Sequence, residues 1–102
     1  MAEIRWTKEA ERWLKEIHDY ISTDNPKAAV QVVDGIRQKV QILKRLPEIG
    51  HRYQRYPEVN IRILLYGHYR IVYLVHSDRS VNILGIFHGA LQLDRYFLEE
   101  KF

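Results

Sequence analysis

A single arginine stands in the middle of a tyrosine-rich apolar run, Tyr69–Tyr73, whose sequence is YRIVY. A permanently charged guanidinium is costly to bury alone, so Arg70 should reach either a cleft or an acidic side chain. In a cleft it could bind a phosphate, because it donates paired hydrogen bonds in a fixed geometry. The alternative is an internal ion pair with Glu58 or Asp94, and the sequence leaves both interpretations open.

A histidine, His88, closes the last apolar segment of the chain. Histidine is the side chain best suited to proton transfer near neutral pH, so His88 is a candidate general acid. A histidine at a strand end is more often a hydrogen-bonded structural residue. Whether His88 and Arg70 lie on one face of a sheet depends on strand register, which the sequence does not specify.

Arginines and tyrosines alternate between residues 52 and 66, in a mixture typical of surfaces that hold single-stranded nucleic acid. Arginine can contact phosphates, while tyrosine rings can stack on bases. The candidate binding residues are Arg52, Tyr53, Arg55 and Arg62, accompanied by Tyr56 and Tyr66. Alternatively, the tyrosines pack at the sheet edge and the arginines are solvated. The same basic surface could also receive an acidic segment of a partner protein that folds on binding.

The positive charge of the chain is concentrated in its middle. The net charge is +3, and residues 44–73 carry six basic against two acidic side chains, whereas residues 1–43 carry seven of each. A local excess of this kind attracts polyanions such as nucleic acid or an acidic protein segment. A solvated basic face is the simpler alternative.

Several classes of protein are disfavoured by composition. There is no cysteine, which excludes disulfides and thiolate sites, and the five histidines follow no metal-ligand spacing. No phosphate-binding glycine loop or paired-carboxylate cluster is present, so we expect no metal and no cofactor. The N-terminus lacks an export signal and no apolar run is long enough to cross a membrane, so we expect a cytoplasmic protein that does not contact the membrane.

Helical signals dominate the first half of the chain. Ile4 and Trp6 alternate with charged residues as in a short strand, and Thr7 is a suitable cap for an amphipathic helix over residues 8–22. Asn25 followed by Pro26 predicts the start of a second helix, which should continue for about 20 residues until Leu46-Pro47. Gly35 inside that helix predicts close contact with the first helix.

Strand signals dominate from residue 50 onward. The pattern predicts strands over residues 61–66, 69–76 and 81–88, and the last two are apolar on both faces, as expected of central strands. The predicted fold is therefore α+β, with an N-terminal strand and an antiparallel two-helix hairpin packed on an antiparallel sheet. At 102 residues, the chain should form one domain spanning residues 1–102. Residues 91–102 fit either a short helix or an extension.

The order of these features is informative about family. Along the chain come a strand, a capped helix, the hinge Asp24-Asn25-Pro26, a helix ending at Pro47, the Tyr69–Tyr73 strand and the ending His88-Gly89-Ala90. This order resembles the RelE/ParE superfamily of toxins from bacterial type II toxin–antitoxin pairs, over nearly the whole chain. The resemblance implies growth arrest by the toxin and neutralisation by a cognate antitoxin. It is also compatible with a hetero-oligomer of toxin and antitoxin.

The resemblance implies different chemistry in the two branches of the superfamily. In the ribosome-dependent mRNA endonucleases of the RelE type, Arg70 would contact the scissile phosphate and His88 would act as the acid. This chain has Gly89 where those enzymes have a tyrosine, and Tyr53 with Gln54 where some have a carboxylate. The ending resembles ParE-like members, which act on DNA gyrase, although Leu91-Gln92 replaces their Arg-Asp. We therefore favour ParE-like action, with an mRNA endonuclease and a non-toxic antitoxin-binding domain as alternatives.

Overall fold

The computed structural model describes residues 2–89, which form two helices and a five-stranded sheet. The elements are β1 (Ile4–Trp6), α1 (Lys8–Ser22), α2 (Pro26–Val40), a 3₁₀ turn (Gln41–Lys44), β2 (His51–Arg52), β3 (Ile61–Tyr66), β4 (Tyr69–Val75) and β5 (Val81–His88). The predicted α+β fold class, a helical hairpin on a sheet, is confirmed. Within residues 2–89, neither helix combines the length and the apolar content that crossing a membrane requires.

Both helices begin at the predicted side-chain caps. The Thr7 hydroxyl accepts a hydrogen bond from the Ala10 amide at 3.1 Å and donates to the Ile83 carbonyl at 2.7 Å, which ties the start of α1 to β5. The Asn25 side chain likewise accepts from the Ala28 amide at the start of α2. Each cap satisfies an amide that has no partner within its helix.

The second helix is shorter than predicted, because its last turn tightens into the 3₁₀ turn after Val40. A 3₁₀ turn aligns residues three apart, and it is common where a following proline prevents the helix from continuing. Val40 and Leu43 are consequently both fully buried on the same side. The apolar side chains therefore remain on the core side where the chain passes from the α-helix into the 3₁₀ turn.

The five strands are arranged in the order β1-β5-β4-β3-β2. The antiparallel meander of β3, β4 and β5 is confirmed, and β4 and β5 are central as predicted. The N-terminal strand β1 adds a parallel edge along β5, where Ile4 faces Val81 and Trp6 faces Ile83. The short β2 forms the opposite edge. The sheet is therefore mixed, with one parallel pair.

One irregularity interrupts the pairing of β4 with β5. Val72 faces Gly85, whereas the next residue, Tyr73, faces Ile83, so that Leu84 has no opposite residue. Such a β-bulge inserts one extra residue and changes which side chains point to each face. Gly85 also makes room for the Phe87 ring, since a Cβ at residue 85 would lie 2.6 Å from it.

The sheet is buried on both faces. The helices cover one face, where the main core includes Leu14, Ile36, Ile71 and Ile83. On the other face Ile61, Val72 and Phe87 are fully buried, with partly buried side chains packed against them from Trp13, Tyr53, Tyr56 and Val59. The two-sided apolar pattern of β4 and β5 therefore corresponds to two cores, one on each face, and Trp13 of α1 packs against both.

Gly35 does approach another element closely, but the predicted partner was wrong. The atoms nearest to a Cβ added at residue 35 belong to the Tyr66 ring and hydroxyl at the end of β3. The glycine thus makes room for a tyrosine of the sheet instead of marking the crossing of the helices. The helices are linked elsewhere, for example where Arg37 donates two hydrogen bonds to the Glu11 carboxylate at 3.0 and 3.1 Å.

A buried tyrosine connects the loop after the 3₁₀ turn to the centre of the sheet. Tyr73 is fully buried, and its hydroxyl accepts a hydrogen bond from the Gly50 amide at 2.9 Å. A Cβ at residue 50 would lie 2.6 Å from that hydroxyl and 2.8 Å from the Ile63 carbonyl oxygen. Only a residue without a side chain fits this contact as it stands, so Gly50 and Tyr73 form a matched pair.

We expect Tyr73→Phe to lower the free energy of unfolding by about 1–3 kcal/mol, because it leaves the buried Gly50 amide without an acceptor. Urea denaturation followed by circular dichroism would measure the loss. Tyr20→Phe is the matched control, since the Tyr20 side chain is exposed and should change stability little. Equal stability of the two variants would contradict a structural role for the Tyr73 hydroxyl.

Alkaline pH should destabilise the fold through the same residue. Burial raises the pKa of Tyr73 above its ordinary value of 10.0, and burial also raises the pKa of Tyr69. Because the folded pKa exceeds the unfolded one, the stabilisation is complete below about pH 10 and is lost as pH rises through the folded pKa. Urea midpoints from pH 8 to pH 11 should therefore fall more steeply for the wild type than for Tyr73→Phe.

Candidate functional site

Arg70 lies near the start of β4 on the sheet face opposite to the helices. Its neighbours across the sheet are Leu65 on β3 and Phe87 on β5. Its Nε atom is buried and has no hydrogen-bond partner. Within residues 2–89 no acidic side chain pairs with Arg70, so the proposed ion pair with Glu58 is not formed, and Asp94 lies outside the described residues. The Arg70 guanidinium therefore has a hydrogen-bond donor without a partner, on a face of the sheet that is largely apolar.

His88 lies on the helix-covered face of the sheet, directly opposite Tyr69. Its ring packs edge-on against Tyr69, with ring centroids 5.4 Å apart, and against His68 at 6.1 Å. The neighbouring pair in the ladder is Arg70 with Phe87, and side chains of adjacent pairs point to opposite faces. The structure therefore does not bring Arg70 and His88 together.

His88 does contribute to a cleft between α1 and the sheet. The cleft has a volume of about 310 Å³ and is lined by Trp13, Glu16, Ile17, Tyr20, Tyr69, Ile86 and His88. Tyr20 is 83% exposed at its rim. The sequence offered a signal for Tyr20, because it follows Ile17 by three residues on the same helix face. Trp13 and Ile17 of the same helix pack against the core and also line this cleft.

Arg62 is largely committed to holding the loops around β2. Its guanidinium donates to the backbone carbonyls of Glu48 and Gly50 at 2.8 and 2.9 Å and to the Asn60 side chain at 3.0 Å. It also forms an ion pair with the Glu48 carboxylate at 3.2 Å, and its side chain is only 16% exposed. These contacts fix the Gly50 backbone that bonds to Tyr73.

Arg52 also has a local structural role, in the loop between β2 and β3. It donates to the Pro57 carbonyl at 3.1 Å and to the Val59 carbonyl at 3.4 Å, although its side chain is exposed. Arg55 is exposed and lies 5.9 Å from the centre of the Tyr56 ring. Among Arg52, Arg55 and Arg62, Arg55 thus makes the fewest contacts with the rest of the described structure.

The two tyrosines of this loop pack mainly inward. Tyr53 and Tyr56 lie against the core formed by Ile61, Val72 and Phe87, and their ring centroids are 6.2 Å apart. Both remain partly exposed. This packing agrees with the alternative in which the tyrosines cover the edge of the sheet. Within residues 2–89 no group of three or more histidine, aspartate or glutamate side chains is placed to hold a metal ion.

Comparisons with known proteins place these features in context. Residues 4–93 match the family described as the ParE toxin of the type II toxin–antitoxin system, parDE. The chain is 38% identical over 89 residues to Y4kP of Sinorhizobium fredii (strain NBRC 101917 / NGR234), described as a candidate toxin, and the match covers 87% of this chain and 90% of that protein.

Solved structures of toxin–antitoxin systems include chains with a similar fold. A chain of the chromosomal ParDE toxin–antitoxin system from P. aeruginosa superposes with a TM-score of 0.72 at 23% identity, covering 88% of this chain and 98% of that one. A chain of the RelBE2 toxin–antitoxin complex from Mycobacterium tuberculosis gives a TM-score of 0.58 at 22% identity, covering 86% and 98%.

We expect Arg62→Lys to destabilise the protein by about 1.5–3 kcal/mol, because a lysine cannot reproduce the fork of bonds to Glu48, Gly50 and Asn60. Arg55→Lys is the matched control and should change stability by less than about 0.5 kcal/mol. Urea denaturation would measure both variants. A stable Arg62→Lys protein would instead favour a binding role for Arg62.

Proposed function

Because this chain belongs to the ParE toxin family of type II toxin–antitoxin systems, we propose that it arrests growth by acting on DNA gyrase without cleaving nucleic acid. The observation that carries this proposal is the separation of Arg70 and His88 on opposite faces of the sheet. An acid and a phosphate-binding arginine must reach the same substrate atoms to cooperate in cleavage. In this chain the sheet lies between them.

The hydrogen bonds that Arg52 and Arg62 make within the protein support the same proposal. Arg62 and Arg52 donate to backbone carbonyls around β2, so a large part of their hydrogen-bonding capacity is used internally. Tyr53 and Tyr56 pack against the second core, which removes much of their ring surface from base stacking. A folded surface that contacts another protein fits these residues better than a channel for single-stranded RNA.

We further propose that a cognate antitoxin neutralises the protein by forming a complex with it. Both similar solved structures come from toxin–antitoxin systems, ParDE of P. aeruginosa and RelBE2 of Mycobacterium tuberculosis. This chain offers exposed apolar side chains for such a partner, among them Tyr20 and Val30 on the helices and Leu65 on β3.

One observation favours the second candidate function, a ribosome-dependent mRNA endonuclease. The Arg70 Nε atom is buried without a hydrogen-bond partner, and an unpaired buried donor is unfavourable unless a ligand completes it. A scissile phosphate would be such a ligand. This alternative needs Arg70 to act without His88 on the same face, and with a base from elsewhere.

The deciding experiment compares the two activities of one purified preparation. We expect the wild-type protein to inhibit supercoiling of relaxed plasmid by gyrase and to leave mRNA intact in a translating extract. Arg70→Ala and the charge-conserving control Arg70→Lys should be tested in both assays after circular dichroism has verified their folding. Absence of gyrase inhibition, together with mRNA cleavage that is lost in Arg70→Ala and retained at least in part in Arg70→Lys, would establish the endonuclease instead.

Induced expression in a bacterial host without the antitoxin tests the premise shared by both mechanisms. We expect growth to stop when the wild-type protein is induced. Unchanged growth with soluble, folded protein would contradict both mechanisms and would identify a non-toxic antitoxin-binding domain.

A further inference from the structure

A second cleft lies at the other end of β4 and β5, far along the strands from His88. It has a volume of about 510 Å³ and is lined by Ala2, Lys44, Arg45, Asp78 and Arg79. Lys44 and Arg45 come from the end of the 3₁₀ turn, and Arg79 comes from the turn between β4 and β5. The N-terminal segment contacts both parts, since the Ala2 amide donates to the Lys44 carbonyl and the Val81 amide donates to the Glu3 carbonyl, each at 2.8 Å. We call this the basic cleft.

The three cations of the basic cleft have no acidic partner within residues 2–89. The one carboxylate in the lining, Asp78, accepts hydrogen bonds from the Ser80 amide at 2.9 Å and the Ser80 hydroxyl at 2.7 Å. These bonds, helped by His76 and Arg5, lower the pKa of Asp78. Three like charges that converge on one cleft repel one another, and an anionic ligand would relieve that repulsion.

The backbone at Arg79 is strained. Its φ is 72°, and the other described residues with φ in this left-handed region are Gly67 and Gly89. The turn holds this conformation through bonds from the Arg79 amide to the His76 carbonyl and from the His76 amide to the Ser80 carbonyl, each 2.9 Å. An arginine costs more than glycine at such a position. Strain of this kind is typical of binding sites, where the side chain has a role that offsets it.

An aliphatic surface adjoins the basic cleft and shares Arg79 with it. A shallow cavity of about 340 Å³ is lined by Arg79, Leu46, Pro47, Glu48 and Ile49. Leu46 and Ile49 are 50% and 48% exposed, while Glu48 is already paired with Arg62. No aromatic side chain is among the described residues that line either cavity. The combined surface is basic on one side and aliphatic on the other.

We propose that the basic cleft and the adjoining aliphatic surface bind an acidic segment of a partner protein that also carries aliphatic side chains. Carboxylates of the segment would pair with Lys44, Arg45 and Arg79, and its aliphatic side chains would cover Leu46 and Ile49. Nucleic acid fits less well, because it would meet no aromatic ring for base stacking and would pass close to the Asp78 carboxylate. The inference does not depend on the gyrase proposal.

The test uses the full chain and a fluorescein-labelled peptide of twelve residues, made of glutamates with leucines spaced three and four apart. Fluorescence anisotropy should show saturable binding that weakens as salt is raised. Arg79→Gly should weaken binding about fivefold or more while the melting temperature stays the same or rises, because glycine relieves the strain. Binding is thus expected to weaken without any loss of stability, which a merely structural arginine would not produce.

Two matched comparisons make the test specific. Lys44→Glu with Arg45→Glu should weaken binding, whereas Lys8→Glu with Lys27→Glu, which changes the net charge equally at the exposed starts of the helices, should not. Leu46→Ser with Ile49→Ser should also weaken binding of the peptide, and a peptide with serine in place of leucine should bind less tightly to the wild type. Equal affinity across all these variants would overturn the proposal. So would absence of peptide binding, or tighter binding of a single-stranded oligonucleotide of the same charge through the same three cations.

Discussion

The fold depends on a central pair of strands that is buried on both faces. When one face of a strand is exposed, a register shift exchanges a core for a solvated surface; in β4 and β5 it would disrupt two cores at once. Ile71 and Ile86 belong to the core under the helices, whereas Val72 and Phe87 belong to the core on the opposite face. This double constraint fixes the direction of every side chain of the two strands, including the candidate functional residues Arg70 and His88.

The loops around β2 are held to this sheet by a small number of polar contacts. Tyr73 receives the Gly50 amide, and Arg62 donates to the carbonyl of the same glycine and to Glu48. One arginine and one tyrosine, opposite each other in the β3–β4 ladder, therefore immobilise the segment that leaves the 3₁₀ turn. Arg62, which the sequence predicts as a nucleic-acid contact, thus has a structural role in the fold.

Local signals were sufficient for much of the architecture. The caps at Thr7 and Asn25 and the apolar runs of β3, β4 and β5 each depend on residues close together in the chain, and the predicted starts of these elements agree with the structure. The tightening of the chain after Val40 and the partner of Gly35 were not predictable, because they depend on packing against a sheet that is distant in sequence.

The candidate site was predictable as a set of residues but not as an arrangement. The sequence singled out Arg70 and His88 individually, and their positions on a central strand and at a strand end agree with expectation. Their separation depends on the pairing of β4 with β5 and on the bulge at Leu84, which the sequence alone does not locate. Similarly, no pattern of residue types reveals that Arg62 bonds to carbonyls of a loop, or that Arg79 has a left-handed backbone.

The bulge at Leu84 has a consequence for the chemistry available to this scaffold. Val81 and Ile83 face the helices, and so do Ile86 and His88, because the extra residue reverses the alternation between them. With continuous pairing from Tyr73 and Ile83 onward, His88 would instead project from the same face as Arg70. That change requires Leu84 to be kept and the register to shift, because deletion of Leu84 would remove the bulge and still leave His88 opposite Tyr69 on the helix-covered face. In a sheet of this kind, the register that follows a single bulge decides which side chains at the end of a strand share a face.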